Sequence, residues 1–82
     1  MDWEKIGKKK FDDMIQRMPL FHRQIAKEVV ERKAMENAET RGAQMVEEVD
    51  IVSAFFSEVP KAFFSLMVKL MDDVGFDHEH VG

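Results

Sequence analysis

The run Asp77-His78-Glu79-His80 holds the side chains best suited to a metal ion, since imidazole nitrogens and carboxylate oxygens both ligate zinc or nickel. No matching ligand cluster occurs elsewhere, so a solvated chain end is the simpler expectation, and neither a metal nor another cofactor is expected. His22, Arg23 and Lys27 fall in the opening turns of one helical pattern and could receive an anion or a partner's carboxylate. An ordinary surface turn would use the same residues. Lys8-Lys9-Lys10, beside Trp3 and Phe11, would suit a membrane surface or a nucleic-acid backbone, but Glu4, Asp12 and Asp13 offset them. The acid pairs Asp12-Asp13, Glu47-Glu48 and Asp72-Asp73 are adjacent in sequence, so on a helix they point to different sides and read as capping and solvation. The chain has no cysteine, which removes disulfides, thiolate metal sites, iron–sulfur ligation and cysteine nucleophiles together. No serine–base pair, carboxylate dyad or glycine-rich phosphate loop is evident, and a non-catalytic protein is expected.

The elements that must position these residues read as helices. Helix-favouring Glu, Lys, Met and Ala are plentiful and β-branched residues sparse. Over residues 3–18, Trp3, Gly7, Phe11, Met14, Ile15 and Met18 fall within an arc of about 120° at helical spacing, with polar residues opposite. Pro19 stops that helix and suits the start of the next, from 20 to 41. There Phe21, Ile25, Ala26, Val29 and Val30 make one apolar face. After Lys33 the apolar positions Ala34, Met35 and Ala38 rotate to another side, so the second half either meets another element or sits in water. Gly42 is a natural helix terminator. A short link through Met45-Val46 follows, for which the pattern predicts no strand, although a short pairing there is compatible with it. Acidic residues then open a third helix, about 48–57, with the favourable sign for the helix dipole.

The fourth helix, about 60–74, begins at Pro60. Lys61, Ser65, Lys69, Asp72 and Asp73 occupy a polar arc of about 120°, and apolar side chains fill about 200°. That is wider than a peripheral helix needs, so the helix is either central or in contact with a partner. Phe55, Phe56, Phe63 and Phe64 straddle Pro60, and adjacent pairs cannot all face one way on a helix. Phe56, Phe64 and Val68 are therefore candidate partner-binding residues, with Arg23 and Lys27 beside them. Gly75 closes the helix, with Phe76 placed to fold back over its end. The expected fold is all-α, a compact bundle of four helices in one domain over residues 1–76, with 77–82 a loose tail.

Eighty-two residues, 45 % hydrophobic and 34 % charged, are enough for one modest core. The net charge of −4 divides unevenly: residues 1–41 carry ten Lys/Arg against eight Asp/Glu, and residues 42–82 carry two against eight. Such polarity allows contact between copies or elements, while the overall acidity disfavours a general nucleic-acid binder. The opening Met1-Asp2-Trp3-Glu4 lacks the apolar run of a signal peptide, and no segment approaches the ~20 apolar residues of a membrane span. A cytoplasmic location with no membrane contact is expected.

Residues 14–56 resemble one known family. Met18-Pro19-Leu20-Phe21-His22-Arg23, then Ala38 with Gly42, then Val46 to Val52, follow the pattern of the PCP-reductase-like domain. That domain ends the B subunit of light-independent protochlorophyllide reductase. Glu47 stands where that family commonly has Thr. The resemblance implies a freestanding relative of an accessory domain, since the family's catalytic cluster ligands belong to the large preceding domain. The function expected is thus a small accessory or protein-interaction module, bound to a protein partner or to itself. The alternatives are a histone-like nucleic-acid-binding domain, or an accessory subunit of a tetrapyrrole or redox enzyme.

Overall fold

The computed structural model describes residues 1–78. In chain order they form β1 (Asp2–Trp3), α1 (Lys5–Gln16), α2 (Leu20–Thr40), β2 (Met45–Val46), α3 (Glu48–Glu58), a short 3-10 turn (Lys61–Phe63) and α4 (Phe64–Val74). The architecture is the all-α four-helix fold that the periodicity predicts. Two elements depart from it in detail, and the fourth helix, expected from about residue 60, starts as the 3-10 turn and becomes α-helical only at Phe64.

The first departure is at the N-terminus. Trp3 does not belong to α1: β1 runs parallel to β2, with Asp2 opposite Met45 and Trp3 opposite Val46. The Glu4 N–H extends the pairing by donating to the Val46 carbonyl at 2.8 Å. Helical spacing nonetheless placed Trp3 on the right side, because its ring packs 5.3 Å from Phe11. What stops the helix at Lys5 is a cap. Glu4 is extended (φ −63°, ψ 136°), and its carboxylate accepts the N–H groups of Ile6 and Gly7 at 2.9 and 2.8 Å. Those hydrogen bonds hold the Glu4 carboxyl below its usual pKa. Gly7 is buried where α1 approaches α3, and a Cβ there would lie 3.3 Å from the Ile51 Cδ1.

The second departure is in α2. Its second half is the buried one: Ala34 and Ala38 are fully buried, and Asn37 Nδ2 donates to the Asp50 carbonyl at 3.0 Å. Small side chains let α3 lie close along this half. Its first half, which carries the stronger apolar periodicity, is largely outside the core. Val30 is buried there, but Phe21 is 78 % and Ile25 66 % exposed.

The core gathers Phe11, Met14 and Ile15 of α1, Ile51, Val52 and Phe55 of α3, and Met67 and Met71 of α4. The Phe11 and Phe55 rings, 5.9 Å apart, sit at its centre. Both glycine terminators work as expected. Gly42 and Gly75 take positive φ of 73° and 93°, and the following residues, Ala43 and Phe76, donate back to Ala38 and Met71 at 2.9 Å. Phe76 is buried beneath its helix end. Among the described residues no single helix is long and apolar enough to cross a membrane. The α3–α4 pair together meets the length and composition, but it bends by 118° at the break and α3 is a core helix.

Candidate functional site

An apolar groove of about 400 Å³ lies beside α2. Phe21, Ile25 and Val29 of α2 form one wall; Phe63, Leu66 and Leu70 form the other. Pro60 creates the second wall. It turns the chain sharply out of α3, and the 3-10 turn then presents Phe63 to solvent before α4 resumes regular spacing. Phe63 and Leu66 are 53 % and 50 % exposed, so four large apolar side chains line an open cleft. Its polar groups are few. His22 lies at the α2 wall, its ring 4.1 Å from that of Phe21, and the Glu58 carboxylate stands at the end of α3.

The candidates chosen from sequence fall in different places. Phe56 and Phe64 meet edge to face, ring centroids 5.3 Å apart, and pack half-buried against the core. Val68 is half-buried as well. The side chains beside them in sequence, Phe63 and Leu66, are the ones that reach the groove. Arg23 serves the fold itself. Its guanidinium donates to the Met18 carbonyl at 3.0 Å and to that of Gln16, capping the end of α1 across the Pro19 corner. Lys27 is exposed and does not line the groove.

The lysine run is divided among separate partners. Lys8 reaches Asp12 at 3.1 Å and Glu31 at 3.7 Å, and lies over the Trp3 and Phe11 rings. Lys10 reaches Glu48 at 2.7 Å and the Gly75 carbonyl at 2.9 Å, tying α1 to α3 and to the end of α4. Lys9 alone is exposed, so the run offers no continuous cationic strip. His78 Nε2 lies 2.8 Å from Asp72 Oδ1. His80 lies outside the described residues, and among the described residues no group of three His, Cys, Asp or Glu could hold a metal ion.

The strongest electrostatic cluster joins α2 to α3. Arg41 Nε and Nη2 donate to the two Asp50 oxygens at 2.9 and 2.7 Å, and Nη2 also reaches Glu47 at 2.9 Å. Burial pushes the Asp50 carboxyl up, but the Arg41 guanidinium and the Glu47 N–H, at 2.9 Å, outweigh it and hold the pKa below its usual value. The hydrogen bonds that Arg41 donates to Asp50 and then to Glu47 raise its own pKa in turn. No buried side-chain donor or acceptor among the described residues lacks a partner, and this cluster joins two helices of the fold as a clasp. No protein-family model, curated protein or solved structure matches this chain.

Proposed function

We propose that this chain is a small non-catalytic interaction module, and that the groove between the first half of α2 and the Pro60–Leu70 segment is its docking surface. The observation that carries this reading is the exposure of Phe21, Ile25, Phe63 and Leu66 along one cleft. Each is a large apolar side chain at least half open to water, a state that burial against a partner relieves. Aromatic and aliphatic anchors around a recess, with few charges inside it, match the composition of interface cores. The resemblance to the PCP-reductase-like domain supports the same reading, since there too the small domain is an accessory to the part that does the chemistry.

Position-specific photo-crosslinking in cells tests the reading. A benzoylphenylalanine in place of Phe21 is expected to yield protein adducts, with this chain or another, that disappear when Ile25→Asp is added. The same group in place of the exposed Lys9, outside the groove, is expected to yield none. Equal labelling at both positions, or none at Phe21, would overturn the assignment.

A further inference from the structure

We draw no further inference here: the strongest candidate, the apolar groove between the first half of α2 and the Pro60–Leu70 segment, belongs to the docking surface already proposed, and nothing in the structure shows what covers it.

Discussion

Asp50 is the buried charged residue among those described, and it binds both Arg41 and the Glu47 N–H. Its depressed pKa fixes the sign of a pH effect. Above its ordinary value of 3.8, folded and unfolded chains are both ionised and the clasp contributes in full. As pH falls through that value toward the lower folded pKa, the unfolded chain takes up the proton first and the contribution is lost. Urea unfolding is therefore expected to show stability declining in the acid range, with Asp50→Asn flattening that decline. The same substitution is expected to lower stability at neutral pH by about 1 kcal/mol, because a neutral amide replaces the buried carboxylate and leaves Glu47 as the carboxylate partner of Arg41. Nothing at positions 41 and 50 announces this pairing in the sequence. They stand nine positions apart across a turn, and the Gly42 reversal brings them together.

Among the elements, α2 explains most about the molecule. Its apolar residues wind around the helix, so two neighbouring structures can claim it: α3 along Ala34 and Ala38, and the groove along Phe21, Ile25 and Val29. Ala38 is fully buried where the helices approach, so Ala38→Leu is expected to cost about 1–3 kcal/mol in chemical denaturation through overpacking. The C-terminal cap of α4 supplies an independent check. Gly75 has φ 93°, where any Cβ is strained, and Gly75→Ala is expected to cost about 1 kcal/mol in the same measurement. The capping glycines and both prolines were legible from residue type, because their effect on φ is local. The two-residue pairing of β1 with β2 was not, since four residues carry no periodicity to read.

At the scale of the whole molecule, core and groove use the same residue types for different ends. Phe55 is fully buried and Phe21 is 78 % exposed. Phe55→Ala is expected to destabilise by about 3–5 kcal/mol through loss of burial and the cavity left behind. Phe21→Ala is expected to change monomer stability by less than about 0.5 kcal/mol, measured at concentrations low enough to exclude association. The contrast separates a side chain retained for folding from one available for contact. The uneven charge is likewise resolved in three dimensions: Lys10 and Lys8 of the basic half are engaged by Glu48, Glu31 and Asp12, so net charge by halves is a poor guide to the surface.

Local sequence was enough to place the four helices, their ends at Pro19, Gly42, Pro60 and Gly75, and Phe11, Met14 and Ile15 together on the apolar face of the first. These follow from backbone restriction and helical periodicity, which act within a few residues and need no knowledge of the neighbours. Which apolar face stays bare was settled by tertiary packing alone. Periodicity puts Phe21 and Ile25 on one apolar face and Ala34 and Ala38 on another without deciding which is covered, and it set Phe56 and Phe64 above Phe63 and Leu66 as surface candidates. Burial depends instead on which helix arrives at each face. α3 lies along the half of α2 where small alanines permit close approach, and Pro60 turns the chain so that the other half faces an open cleft.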